Sequence, residues 1–177
     1  MSVVLYAVLL VATGVERLAE LVISKRNAAW AFARGGEEFG QRHFPWMVTL
    51  HTGFIVACFV EVVALDRPFL PWLGWPMLAI ALLAQGLRYW CITTLGRQWN
   101  TRVIVVPGAE RVTGGPYRFM SHPNYWVVVL EGIALPLVHS AWITALAFTV
   151  LNAILLLGFR IPVENRALAQ LSGSRRP

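Results

Sequence analysis

Apolar residues run almost without interruption over positions 3–23, 46–65, 72–91 and 141–159. At about 1.5 Å per helical residue, each run is long enough to cross about 30 Å of hydrocarbon. A fifth run, 125–138, is shorter, carries Glu131 and ends near Pro136. Alone it is marginal as a span. Joined to the final run across His139-Ser140, it predicts one arm of a tight helical hairpin. The pattern therefore predicts about five transmembrane helices, or four and a re-entrant segment should the short run stop inside the bilayer. No repeat, low-complexity tract or long polar linker divides residues 1–177, which read as a single domain.

Polar residues are scarce and collected in a few places. Positions 114–125 read Gly-Gly-Pro-Tyr-Arg-Phe-Met-Ser-His-Pro-Asn-Tyr, a turn-rich segment wedged between hydrophobic runs. Charged and aromatic-polar groups at a membrane boundary are costly unless they meet a ligand, a headgroup or a partner, so this segment is where a bound molecule is expected. The ionisable residues inside the runs also keep to one level. Glu16, Arg17, Glu20, His51, Gln85 and Arg88 fall in the third of their helices nearest the polar segment, and Arg160 and Glu164 at the matching end of the last run. This belt reads as interhelical salt bridges and snorkelling side chains, or as part of a buried site beside the loop. Glu61 and Glu131 fall outside it. Glu61 reads as an outer-interface residue, Glu131 as a packing group or a contact on the substrate side.

Composition agrees with the pattern: 57% of the 177 residues are hydrophobic, 14% are charged, and the mean hydropathy is +0.60. An all-α integral membrane protein is expected. Basic residues give its orientation. Lys25, Arg26, Arg34 and Arg42 lie in the first connection, Arg88, Arg97, Arg102, Arg111 and Arg118 around the third, and Arg160, Arg166, Arg175 and Arg176 at the end. The second connection holds only Arg67 beside Asp66, and the fourth holds none. The positive-inside rule then puts the amino terminus outside and the polar segment and carboxyl terminus in the cytoplasm, as in a cell inner membrane. The net charge of +6 is scattered over membrane-proximal loops, which points to anionic membrane lipid and not to nucleic acid. The first run lacks a basic leader and a small-residue cleavage site, so it reads as a retained span. Cys58 and Cys91 lie in spans of opposite direction and are expected to pack the core, out of disulfide reach. His43, His51, His122 and His139 are dispersed without ligand spacing, and no metal site is expected. Trp46, Trp72 and Trp75 read as interfacial anchors.

Three pieces of this sequence carry a family resemblance: Gly115-Pro116-Tyr117-Arg118, then His122-Pro123-Asn124-Tyr125 at the start of the hairpin, then Arg160-x-x-x-Glu164 after it. Together they resemble the isoprenylcysteine carboxyl methyltransferase and phospholipid methyltransferase superfamily. Glu16-Arg17-Leu18-Ala19-Glu20-Leu21, Ser24-Lys25-Arg26-Asn27, Leu50-His51, Arg88-Tyr89-Trp90-Cys91 and Trp99-Asn100-Thr101 extend the resemblance over nearly the whole chain. They are similar to a bacterial branch associated with type III polyketide synthases, whose members methylate alkylpyrones or related alkylated phenolics. The chain departs from the family pattern at Ser121, where an Arg is usual, and at Asn165, where a second acid is common. The first departure weakens the case for a strongly anionic headgroup at that spot. The second leaves Glu164 itself in place.

The resemblance implies S-adenosylmethionine in a cytoplasmic pocket formed by the loop before the hairpin, the start of the hairpin and the end of the last helix. Glu110, Arg111, Val112, Tyr117, His122, Pro123, Asn124 and Tyr125 would line the cofactor, and Glu164 would hold one of its polar groups. Arg160 would face the acidic oxygen of a lipophilic acceptor. Such a cofactor needs an apolar or aromatic wall, hydrogen bonds for its ribose and amino acid ends, and electron-rich groups near a sulfonium cation. A 4-hydroxy-2-pyrone is already an anion at neutral pH and needs only positioning. A resorcinol hydroxyl needs a base, for which His51 is the expectation, although His51 also reads as a satisfied interfacial histidine. A prenylcysteine or phospholipid methyltransferase shares the cofactor site and differs in acceptor. A nicotinamide-dependent membrane reductase and a non-enzymatic scaffold are the readings from other classes. A type III polyketide synthase is the partner the resemblance implies.

Overall fold

A computed structural model describes residues 1–41 and 44–173. Arg42, His43, Arg175 and Arg176, which entered the reading of charge and histidines above, lie outside the described residues. Among the described residues, six α-helices account for most of the chain: α1 (Val3–Phe32), α2 (Phe44–Ala64), α3 (Pro71–Leu95), α4 (Pro123–Leu137), α5 (Trp142–Leu155) and α6 (Ile161–Gly173). A wide π-helical turn, Leu156–Arg160, joins α5 to α6, making one continuous rod from Trp142 onward. The five expected apolar runs each became helix, and the short fourth run forms a hairpin with α5 across a turn in which Ser140 takes a positive φ of 59°.

Three of these helical stretches are long and apolar enough to cross a membrane: Phe44–Ala64, Pro71–Gln98 and Trp142–Ala167. The other two runs differ for physical reasons. Helix α1 has 30 residues but carries Glu16, Arg17 and Glu20 within its first two-thirds. Helix α4 has 15 residues, about 22 Å of rise, less than the hydrocarbon thickness. The bundle surface is strongly apolar, with Trp72 and Leu83 each 73% exposed. Such a surface suits lipid and not water.

One element was not expected. Strands β1 (Glu37–Phe39) and β2 (Val103–Val105) pair antiparallel, Glu37 opposite Val105 and Phe39 opposite Val103. The structure is mostly helical, as expected, with a two-stranded ribbon of three residues a side added between the helix ends. The β-branched run Val103-Ile104-Val105-Val106 before Pro107-Gly108 favours an extended chain there.

The core lies where α1, α2, α4 and α5 meet, around Tyr6, Leu10, Phe54, Cys58, Leu135 and Phe148. Packing there is close: a Cβ on Gly132 would overlap the Phe148 ring. Tyr6 is wholly buried, its hydroxyl donating to the Leu135 carbonyl at 3.1 Å. Cys58 and Cys91 are both buried and unbridged.

Two acids are more enclosed than their positions suggest. Glu61 lies within one turn of the end of α2 and faces the protein interior. It is buried and accepts hydrogen bonds from Thr144 N and Thr144 Oγ1, both at 2.7 Å, and from Ile143 N at 3.2 Å. Its carboxylate therefore caps the start of α5 from a neighbouring helix, satisfying amides that have no partner within their own helix. Arg67 closes the group at 3.0 Å. Glu131, expected outside the polar belt, belongs to it. It bonds Arg88 and lies 3.6 Å from Arg17, while Arg17 holds Glu20 at 2.8 Å and Gln85 at 3.0 Å. Gln85 in turn donates to Glu16 at 2.5 Å, so the belt ties α1, α3 and α4 together by side-chain bonds.

Candidate functional site

The end of the bundle opposite Glu61 is shaped by glycine and proline. Helix α3 stops at Gly96, whose φ is +53°, and the chain turns through a 3-10 segment, Gly96–Gln98. Further on, Gly115 also has positive φ, at 54°, and a Cβ there would overlap Thr94 Oγ1 and sit 3.1 Å from Trp90 Nε1. Only glycine fits both the backbone and the space. Pro116 follows in a second 3-10 turn, Gly115–Arg118, which brings the Tyr117 hydroxyl to the Cys91 thiol. Pro123 occupies the first turn of α4, so the preceding His122 is held outside the helix, at φ −135° and ψ 63°.

A cavity of about 410 Å³ opens among these segments, the ribbon and the start of α6. Glu110, Arg111, Val112, Tyr117, His122, Pro123, Asn124, Tyr125 and Glu164 all line it, as does Arg160. The residues expected to hold a cofactor, dispersed over 55 positions from 110 to 164, are thus brought to one space. His51 is not among the lining residues. It sits on α2, its Nδ1 bonded to the Met47 carbonyl at 2.9 Å and its ring edge-on to Phe148, beside a void of only about 10 Å³ with Arg17 and Glu131.

Glu164 organises one wall. One carboxylate oxygen accepts from His122 Nδ1 at 3.2 Å and the other from the Tyr125 hydroxyl, while the His122 and Tyr125 rings stack with centroids 5.3 Å apart. The hydrogen bond that His122 donates to Glu164 raises its pKa above the ordinary 6.5, against the lowering effect of its partial burial. Burial pushes the Tyr117 hydroxyl up, so Tyr117 stays neutral. Arg160 leaves the π-helical turn to donate from Nη2 to the Thr101 carbonyl at 2.5 Å. A π-turn adds a residue to one helical turn, and such turns are frequent at functional sites. This one precedes Glu164 by less than two turns and presents both residues to the same cavity.

Two polar atoms of the wall are buried and, among the described residues, unpartnered: Asn124 Oδ1 and Arg160 Nε. One is an acceptor and the other a donor, so the wall offers a bound molecule one hydrogen-bonding group of each kind. Five arginines line it, Arg97, Arg102, Arg111, Arg118 and Arg160, against two acids, Glu110 and Glu164. Sequence reasoning had not placed Trp30 and Ala31 of α1, Gln98 or the ribbon in this wall. Gln98 Nε2 holds the Glu110 carbonyl at 3.2 Å, an anchor that no pattern in the sequence announced. The signal for the rest was partly visible, since the Ser24–Asn27 and Trp99–Thr101 segments, already noted for their resemblance, are bonded to each other, and Trp99 and Asn100 line the cavity.

The chain resembles known proteins along most of its length. The profile of the isoprenylcysteine carboxyl methyltransferase family matches residues 77–170, which include every cavity-lining residue expected to hold the cofactor. The chain is also similar to the uncharacterized protein YpbQ of Bacillus subtilis (strain 168), 40% identical over 159 residues. That match covers 89% of this chain and 93% of the other.

Proposed function

Since the chain belongs to the isoprenylcysteine carboxyl methyltransferase family, we propose that it is a membrane-embedded, S-adenosylmethionine-dependent O-methyltransferase acting on an alkylpyrone. The observation that carries the proposal is the convergence of Tyr117, His122, Asn124, Tyr125, Arg160 and Glu164 on one cavity. The cavity also fits the cofactor. Its volume lies within the roughly 300–1,000 Å³ usual for small-molecule sites. Stacked His122 and Tyr125 offer aromatic faces, Glu164 an anionic edge, and Asn124 Oδ1 an unused acceptor for an ammonium or hydroxyl.

When bound, S-adenosylmethionine supplies an electrophilic methyl carbon on a sulfonium. The chain's own work is to bind, orient and exclude water, because an in-line displacement needs alignment more than acid catalysis. Glu164, kept in place by His122 and Tyr125, holds a cationic or hydroxyl group of the cofactor. Arg160, fixed on one side by the Thr101 carbonyl, keeps Nε–H for the acceptor oxygen. The separation of His51 from the cavity supports an acceptor that arrives already ionised, and so favours a hydroxypyrone over a resorcinol. The excess of arginine in the lining supports the same choice. An alkyl tail would reach the site from the bilayer, between helices whose outer faces are apolar. The positive-inside pattern supports an active site on the cytoplasmic side of an inner membrane, where a type III polyketide synthase would be the supplier of the acceptor.

Calorimetric titration of the detergent-purified protein with S-adenosylhomocysteine, in parallel with NADPH, tests the class. Saturable binding of the first alone is expected. Binding of NADPH alone would make the protein a reductase, and binding of neither by folded protein would leave a scaffold. Turnover of a long-chain 6-alkyl-4-hydroxy-2-pyrone, compared with a prenylcysteine and a phosphatidylethanolamine, then tests the acceptor.

A further inference from the structure

Behind the cavity wall, Ser24 and Asn27 of α1 form a hydrogen-bonded cluster with the lining residues Trp99 and Asn100 and with Thr101, apart from the charged belt. Ser24 of α1 is buried, and its hydroxyl has three partners: Asn100 Oδ1 at 2.7 Å, Thr101 Oγ1 at 2.7 Å and the Thr101 amide at 3.1 Å. A serine hydroxyl has one donor and two acceptor positions, so this one is fully used. The Asn100 side chain returns the contact, donating from Nδ2 to the Ser24 carbonyl at 3.1 Å and accepting from the Arg102 amide at 3.0 Å. One turn along α1, Asn27 holds the Gly96 and Trp99 carbonyls at 3.2 and 2.7 Å. The backbone from 96 to 102, which has no regular ladder of its own beyond the Gly96–Gln98 turn, is therefore oriented by two side chains of α1.

The Thr101 carbonyl in this stretch has a long-range charged partner, receiving Arg160 Nη2. We infer that Ser24 is a positioning residue for the acceptor: by bonding the Thr101 amide and hydroxyl it sets the direction of the Thr101 carbonyl, which holds Arg160 so that its Nε–H remains available to the acceptor oxygen. The inference rests on the proposed methyltransferase reading for the identity of the acceptor, but the link from Ser24 to Arg160 is independent of it. It also gives α1 a part in the chemistry, although residues 77–170, where the family profile matches, leave that helix out.

The test uses the full-length protein in detergent, labelled with ¹⁵N-arginine, with the Arg160 Nε–H resonance identified by its loss in Arg160→Lys. Ser24→Ala is expected to shift or broaden that resonance and to leave S-adenosylhomocysteine affinity within about twofold. It should raise KM for a 6-alkyl-4-hydroxy-2-pyrone about tenfold, the effect of losing one charge-assisted hydrogen bond. Ser24→Thr, which keeps the hydroxyl, should restore both signals. Asn100→Ala, which takes away the group that receives the Ser24 proton, serves should Ser24→Ala fail to fold, and is expected to move the Arg160 resonance in the same way. An unmoved Arg160 resonance in a folded variant overturns the inference whatever the acceptor is. Failure of the wild type to turn over the pyrone, with the resonance shifted in the variant, removes the acceptor reading and leaves the Ser24 to Arg160 link standing.

Discussion

Two carboxylates stand at opposite ends of this bundle and do opposite things. Glu61 is enclosed: two backbone amides, a hydroxyl and Arg67 converge on it, and its side chain is only 6% exposed. Glu164 is held by His122 and Tyr125, and all three border a cavity of about 410 Å³. At one end donors are spent on stabilising a helix start; at the other a carboxylate is held in place and left reachable. Burial of an acid therefore says little about its use until the space next to it is known. The charged belt between them resembles the Glu61 end, for Arg17, Arg88, Glu20 and Glu131 meet one another and leave room for no more than about 10 Å³.

The largest effect that would break this contrast is on cofactor affinity. Glu164→Gln and His122→Ala are expected to abolish S-adenosylhomocysteine binding in calorimetry while the melting temperature changes by a few degrees at most. Retained binding in both variants would remove the cofactor role from this wall. The mirror experiment is Glu61→Ala, which leaves Arg67 and the first amides of α5 without their acceptor. Breaking a buried pair of this kind costs about 3–5 kcal/mol. A chain of this size should then melt about 10 °C lower, with ligand affinity unchanged wherever it stays folded. A neutral Glu61→Ala would show that the cap is dispensable.

Arg160→Ala should act between these two, sparing S-adenosylhomocysteine binding and lowering kcat/KM for the pyrone by tenfold to about a hundredfold, as loss of a charged hydrogen bond implies. Lost cofactor affinity would instead move Arg160 to the cofactor side. The smallest effect is a pH dependence. The His122 pKa is raised in the folded protein, by its hydrogen bond to Glu164 first, with Asn165 adding to the shift and Arg111 opposing it. Its contribution to stability is therefore complete below about 6.5 and is lost as pH rises through the raised value. Melting temperature measured from about pH 6 to 9 should decline slightly in the wild type, and His122→Asn should remove that part of the decline.

Much of the fold could be read from the chain because long apolar runs have few alternatives to helix in a membrane. The loop 114–125 could be read because glycine and proline constrain backbone in ways that spacing reveals. The level of His51 along its helix was readable too, but its direction around the helix axis was not. His51 lies at about the depth expected, yet it faces Phe148 and the belt, not the cavity. Glu131 was misplaced for the converse reason: it lies eight residues from the start of α4, as Arg88 lies eight from Gly96, so the two side chains meet. The ribbon and the bonds of Ser24 depend on pairings some 65 to 77 positions apart, which no local pattern encodes.

The wide turn at Leu156–Arg160 has a consequence for how this helix tolerates change in length. A π-turn spends about one residue more than an α-turn on the same 360°, so the surplus is absorbed locally and the two halves of the rod keep their facing. Deleting Gly158 is therefore expected to tighten the wide turn into regular winding and leave Glu164 facing His122, whereas removing one residue from the regular winding of α5 would turn Arg160 and Glu164 by about 100° and silence the site. The rod thus carries a spare residue in one place and can lose it there, but not two turns earlier.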